Sequence, residues 1–368
     1  MQALAVYGGT EIAPQQELTS GLFHSFVKWI DRGEKTTRTY IVNLRQFMAW
    51  LKYTDTPRPM REDIISYRQW LAAEHEAIQF DPVTGWKYRT DSRGNPVKIN
   101  CKPNTIAQYL RIVRQFFQWT SDNGLYPNVA RNIHAPKVSS NTRRKDYLRA
   151  GEVLAIEKSI AQQVQEVTAA AAKARKDKEG RVQRSTEQGK RLYAMYLLTV
   201  TLGLRTIEIN RANIKDIETR NGNAWIRLWR KGKTEADQEK PLPPEVKAAI
   251  DDYLQSRTDH YTGASPLFVS TGNRSGGKRL ATTTISAMLK KAMQEAGFDS
   301  ERLTAHSLRH SAAMAALEVS GNNIYEAQMY LGHASPNTTM HYLHQTEEAE
   351  QKQVSMANSI YHLFHGEE

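Results

Sequence analysis

The chain has 368 residues, room for two or three domains at roughly 150 residues each, and its 40% hydrophobic and 24% charged make-up is that of a folded rather than a disordered protein. A single cysteine, Cys101, excludes an internal disulfide and a cysteine-based zinc site, and no apolar run approaches the ~20 residues that span a bilayer. Fifty Lys and Arg against 39 Asp and Glu give a formal charge of +11, so a polyanion is the first partner to consider. The opening MQALAVYGGTEIAPQQ lacks a basic start followed by an apolar stretch, so the expectation is a cytoplasmic protein with no membrane partner.

The first 135 residues read as helices. Leu18, Leu22, Phe26 and Ile30 mark one that ends near Gly33. Thr36 is a candidate cap for a second, in which Tyr40, Leu44, Phe47 and Leu51 form an apolar stripe. Residues 61–73 predict a third. A fourth runs from Pro103 to Trp119, with Ile106, Leu110, Val113 and Phe117 on one side and Gln108, Arg111, Gln115 and Gln118 on the other. The stripes are core; only polar faces such as that of Arg111 and Arg114 are candidates for DNA. Between the third and fourth helices, residues 80–100 are rich in turn formers and predict a surface hairpin or loop.

Residues 101–150 hold nine Lys or Arg against two acids, seven of the eleven net charges. Much of this lies in a Pro-, Asn- and Ser-rich stretch at 128–146 that reads as a linker, with Lys137, Arg143, Arg144 and Lys145 as candidate phosphate contacts. A short basic run is by default a solvated surface, but this one joins two regions of different character.

A second domain is expected from Leu148. Residues 160–190 predict an extended helix pair or a mobile insertion, and 191–212 resume a buried helical pattern with Leu192, Met195, Tyr196 and Leu198. The period then changes to strands at Ile214 and Ile217, an Asn221-Gly222 turn, residues 224–230 and a third strand near Lys240–Pro243. Helices return after Pro244, ending with one at 347–364. No GxxxxGK[ST] loop is present, so ATP use has no support.

The candidate chemistry is concentrated downstream. Gly203-Leu204-Arg205 is followed by Glu208, then the Lys231-Gly232-Lys233 loop, then His306-Ser307-Leu308-Arg309-His310, Leu331-Gly332-His333, and Tyr342 nine residues later. In order and spacing this pattern resembles the tyrosine recombinase (phage integrase) family, of Xer-like or mobile-element type, over about 200 to 350. The helical N-terminal region is similar to that family's core-binding domain in helix count and length.

The resemblance implies a mainly α fold with a small antiparallel β-sheet (α+β), arranged as a two-domain C-shaped clamp. Its parts would be an extension at 1–14, a helical core-binding (SAM-like) domain at 15–135, a basic linker at 136–146 and a catalytic domain at 147–368. It also implies a site-specific recombinase or integrase that cuts and rejoins DNA through a 3′-phosphotyrosyl intermediate and a Holliday junction. Four protomers would act on two duplexes in the nucleoid, with no cofactor or metal and with room for an accessory protein.

Breaking a phosphodiester without a cofactor needs a nucleophile, an acid for the leaving oxygen and cations for the charge that develops. Tyr342 is the family's nucleophile, a phenol whose ordinary pKa is about 10. Arg205 and Arg309 carry planar forks of donors suited to non-bridging oxygens. Glu208 is expected to orient Arg205 rather than to act as an acid. Lys231 is the family's counterpart for the general acid, with Lys233 as its rival. His306 and His333 would bond the phosphate and handle the tyrosine proton.

Three other readings use the same residues. His306 and His310 at i, i+4, with His341 and His344 flanking the tyrosine, could suggest zinc, but Ser307 stands where H-E-x-x-H needs a carboxylate. A type IB topoisomerase-like or telomere-resolving enzyme would share the site. A catalytically silent DNA-binding regulator would not need an intact one. About 15 residues precede the first helix, so the expectation is a simpler Xer-like or transposon-type recombinase without a separate arm-binding domain. The final helix, with Val354, Ile360, Leu363 and Phe364, is expected to dock either on a neighbouring protomer or on its own domain.

Overall fold

A computed structural model describes residues 17–136, 147–173, 179–230, 235–272 and 275–332. The chain divides into two compact units, residues 1–142 and 143–368.

In the first unit four helices enclose an aromatic core: α1 (Ser20–Trp29), α2 (Glu34–Tyr53), α3 (Arg61–Ala72) and α4 (Pro103–Asp122). Pro103 opens α4 at a position where its missing N–H costs nothing. The apolar stripe of α4 buries Ile106, Leu110, Val113, Phe116 and Phe117 against Phe23, Phe47 and Tyr67 of the other helices. Each such ring contributes about 1.5–3 kcal/mol by leaving water. The second helix begins at Glu34 with Gly33 as its cap, so Thr36 lies inside the first turn and is not the capping residue.

The segment after α3 forms strands β1 (His75–Glu76), β2 (Ile78–Gln79), β3 (Lys87–Tyr88) and β4 (Lys98–Ile99). These pair antiparallel as β1 with β4 and β2 with β3, so the hairpin starts earlier than residue 80. Asp81 and Asp91 hold its two turns by accepting N–H bonds, from Val83 and Thr84 and from Arg93 and Asn95 respectively.

The second unit opens with an antiparallel pair, α5 (Ala150–Ala172) and α6 (Glu179–Leu202), which resolves the region 160–190 as helix pair rather than insertion. After α7 (Thr206–Arg211) comes a three-stranded antiparallel sheet in the order β5-β6-β7, with β5 at Ile217–Arg220, β6 at Asn223–Leu228 and β7 at Gln238–Leu242. Asn221 and Gly222, at φ 50° and 77°, make the two-residue turn between β5 and β6 that their types favour. Ile214, expected in a strand, begins a single 3-10 turn, which Asp216 closes by accepting the N–H of Asn213 at 2.8 Å.

Helices α8 (Pro244–Ser256), α9 (Thr282–Glu295), α10 (Ala305–Val319) and α11 (Ile324–Leu331) complete the described chain. Their core joins Tyr196 and Leu198 of α6, Ile226 and Leu228 of β6, and Leu289 and Leu308 of α9 and α10. The architecture is mainly α with small antiparallel sheets, among the described residues two in the first unit and one in the second. Among the described residues no helix is long and apolar enough to cross a membrane.

Candidate active site

The site is built around the place where α6 stops. The helix runs apolar to Leu202 and ends because Gly203 takes φ 63°, the left-handed conformation that glycine adopts without strain. The turn is also crowded, since a Cβ on Gly203 would lie 3.0 Å from Leu331 Cδ2 and 3.4 Å from Ala312. The last carbonyls of a helix lack partners within it. Here three donors from three other elements serve them in succession. Tyr330 of α11 donates its hydroxyl to Thr201 O (2.8 Å), Lys240 of β7 donates to Leu202 O (2.5 Å), and Arg309 of α10 donates to Gly203 O.

Two residues beyond Gly203, Arg205 caps α7. The Glu208 carboxylate accepts from the backbone N–H of Arg205 (2.8 Å) and from its guanidinium (2.7 Å). Glu208 is 2% exposed, while the Arg205 side chain keeps 28% of its surface. The same carboxylate lies 4.0 Å from the Arg309 guanidinium. Arg309 is itself 4% exposed, and its second Nη donates to Leu331 O at 3.1 Å. One fork of donors therefore ties the GLR turn to the end of α11.

Helix α10 carries the His-x-x-Arg pair because Thr304 caps it, accepting the His306 N–H at 3.2 Å. His306 sits exposed in the first turn, with the His310 ring 6.2 Å away one turn later. Arg309, three residues on and therefore on a neighbouring position of the same face, is buried. Ser311 fixes the start of the unit to this helix by accepting the Leu148 N–H at 2.8 Å. Helix α11 ends at Gly332, φ 65°, where a Cβ would collide with the Gln238 amide of β7.

Lys231 and Lys233, His333, His341, Tyr342 and His344 lie outside the described residues, as do Lys137, Arg143, Arg144 and Lys145 of the linker and the expected final helix. What the described chain does fix is the approach to two of these segments. Arg230, directly before Lys231, donates to the carbonyl of Gly332, directly before His333, at 3.4 Å. Arg230 is held in turn by Asp237 on the far side of the loop, at 2.7 Å.

In the first unit Arg111 and Arg114 are exposed on the polar face of α4. With Gln115, Gln118, Asn128, Arg131 and Asn132 they line a depression of about 450 Å³.

One residue at the site carried no signal in the sequence reading. Lys240 is 2% exposed, and it is an inward position of β7, since Leu242 on the same side is also buried while Glu239 and Pro241 are exposed. Burial pushes its ammonium down to about 7, Arg309 and Arg205 push the same way, and Glu208 opposes them. Its Nζ stands 4.7 Å from the Tyr330 ring centroid. Alternation along the strand was the cue that could have found it.

The chain matches the phage integrase family over residues 161–349. It is 34% identical over 171 residues to the tyrosine recombinase XerA of Pyrococcus furiosus, an alignment that covers 46% of this chain and 56% of that relative. It is 27% identical over 348 residues to a tyrosine recombinase of Synechococcus elongatus, covering 93% of each. Among solved structures, the XerH site-specific recombinase bound to its palindromic difH substrate superposes with a TM-score of 0.60 at 18% identity, over 92% of this chain and 85% of that one. A lambda integrase dimer bound to a core site gives 0.56 at 15% identity, over 86% and 96%. Those two likenesses speak to the fold. With the family match spanning half its length, the chain belongs to the phage integrase family, as a tyrosine recombinase of the Xer type.

Proposed function

We propose that the protein is a site-specific recombinase that cuts and rejoins duplex DNA through Tyr342. The phenolic oxygen attacks the scissile phosphorus, forming a 3′-phosphotyrosyl ester and breaking the bond to the 5′ oxygen. The leaving oxygen takes its proton from Lys231, with Lys233 the alternative donor, and the phenolic proton passes to His306 or His333. Arg205 and Arg309 neutralise the non-bridging oxygens, and Glu208 holds Arg205 in place. The ester keeps the bond energy, so a 5′ hydroxyl from a partner strand reverses the step and no nucleotide is hydrolysed.

The observation that carries this reading is the convergence of motifs far apart in the chain. The Arg205 turn, the Arg309 helix and the end of α11 meet through Glu208, Gly203 and Leu331. The Arg230–Gly332 bond brings the residues preceding Lys231 and His333 to the same place. Preorganised cations of this kind are usually the largest catalytic term in such a reaction.

DNA would also be held by Arg111 and Arg114 in the first unit and by Lys137, Arg143, Arg144 and Lys145 in the linker, contacts that give affinity without sequence choice. Two duplexes and four protomers would exchange strands, in keeping with a solved lambda integrase tetramer on a Holliday junction that shares the fold at a TM-score of 0.54.

The test is a nicked suicide duplex bearing the site that this protein selects from a random-sequence pool. Formation of an SDS-resistant protein–DNA adduct, abolished in Tyr342→Phe while DNA affinity is kept, supports the reading. An adduct that survives in Tyr342→Phe overturns it. Supercoil relaxation without junction formation would assign the topoisomerase-like outcome instead.

A further inference from the structure

We propose that Lys240 is a positioning residue for strand cleavage: its ammonium holds the terminal carbonyl of α6, from which the turn carrying Arg205 departs, and supplies a third cation behind Arg205 and Arg309 whose charge answers that of the bound phosphate. The inference rests on the recombinase reading above and adds a residue to its machinery.

The geometry gives the reason. An inward strand position beside Leu242 and opposite Ile226 is one where an aliphatic side chain would pack without desolvating a charge. The ammonium there bonds Leu202 O at 2.5 Å and faces the Tyr330 ring. Among the described residues no carboxylate lies within ion-pair distance of it. The charged groups around it are Arg309 from α10, and Arg205 and Glu208 from α7 and its cap. Among the described residues that is three cations to one carboxylate, and Glu208 is already shared between the arginines. Such an excess is relieved either by loss of the lysine proton or by an anion, and a phosphodiester between Arg205 and Arg309 would be that anion.

The titration of Lys240 fits this role. With an ordinary value of 10.5 lowered to about 7, the free protein holds the lysine partly neutral near pH 7. An incoming phosphate favours the charged form and draws a proton onto Nζ from solvent. The hydrogen bond to Leu202 O is made in either state, so the turn stays anchored while the charge behind it follows the ligand.

Three variants of the full chain test this. Lys240→Met should slow adduct formation on the suicide duplex by on the order of 100-fold, the loss expected from a displaced catalytic group, with DNA affinity changed less than about twofold. Lys240→Arg should recover most of the rate and flatten its pH dependence between 6 and 8.5, because a guanidinium stays charged throughout. A 5′-bridging phosphorothiolate, whose leaving group needs no acid, should rescue Lys231→Ala but not Lys240→Met. Parental rates in Lys240→Met, or thiolate rescue of that variant, would overturn the assignment. If Lys240→Met does not fold, the Lys240→Arg profile decides: a pH dependence unchanged from the parent refutes the role. Thermal melts separate this failure from failure of the recombinase reading. The parent should gain stability relative to Lys240→Arg as the pH rises from 7 to 9, whether or not any adduct forms, and a flat difference would defeat the proposal by itself.

Discussion

Arg205 and Arg309 share one buried carboxylate, with Glu208 at 2.7 Å from the first guanidinium and 4.0 Å from the second. One acid thus links the two guanidiniums and also accepts the N–H of Arg205 itself. Replacing that acid should disturb both cations at once. Glu208→Gln keeps the size but turns an amide N–H₂ toward one of its donors. We expect it to cost about 1–3 kcal/mol of stability and to depress adduct formation more than DNA binding, read from melts and from suicide-substrate kinetics. Unchanged cleavage in a folded Glu208→Gln protein would show that the arginines are placed by other contacts.

Gly203 and Gly222 offer a matched pair. Both have positive φ, 63° and 77°, but a Cβ on Gly203 meets Leu331 at 3.0 Å whereas one on Gly222 meets open space. Gly222→Ala should lose only the backbone term, about 1–2 kcal/mol. Gly203→Ala should lose more than that and also slow cleavage, because Leu331 or the Arg205 turn must shift. Equal melting losses with equal activity would mean that the crowding at Gly203 relaxes at no cost.

Arg111 and Arg114 face a polar depression beside Arg131. If they bind phosphates, Arg111→Ala and Arg114→Ala should each weaken binding to every duplex alike and lower the slope of log affinity against log salt by about one. Fluorescence titrations at several salt concentrations measure this. A slope that does not move in either variant assigns the depression to something other than DNA.

Asp259 sits in a bidentate pair with the buried Arg257, at 2.6 and 2.8 Å, and that bonding lowers its carboxyl below the usual carboxylate range. A depressed carboxylate stabilises fully above its unfolded value of about 3.9 and loses that contribution as the pH falls through the folded value. Acid melts of Asp259→Asn should therefore show less loss of stability below pH 4 than the parent, from a lower starting point near pH 7. Parallel curves would place the acid sensitivity elsewhere.

The parts of this architecture that chemistry demands were legible in the sequence. An arginine just past an apolar helix and a His-x-x-Arg pair on a helix each break a local pattern, and the structure has both, at the end of α6 and on α10. The helix stripes were equally plain, because Tyr40, Leu44, Phe47 and Leu51 repeat on one face and are all buried. Three features were not legible. Gly33 rather than Thr36 caps α2, since a glycine in extended backbone serves as well as a hydroxyl and leaves no mark in the sequence. Ile214 looked like a strand residue because β-branching does not distinguish a strand from the 3-10 turn before it. Lys240 was hidden because a lysine in a short edge strand ordinarily points to water, and only the side of the sheet on which Leu242 falls reveals otherwise.

The donors that finish α6 come late in the chain. Lys240, Arg309 and Tyr330 all follow the helix end they serve, the last by 129 positions. A polypeptide emerging from the ribosome thus presents its Arg205 turn before any of these three donors exists, and the turn has its full set only once Tyr330 has been made. Products that terminate before Tyr330 carry Arg205 without the full set of donors that finishes the helix before it.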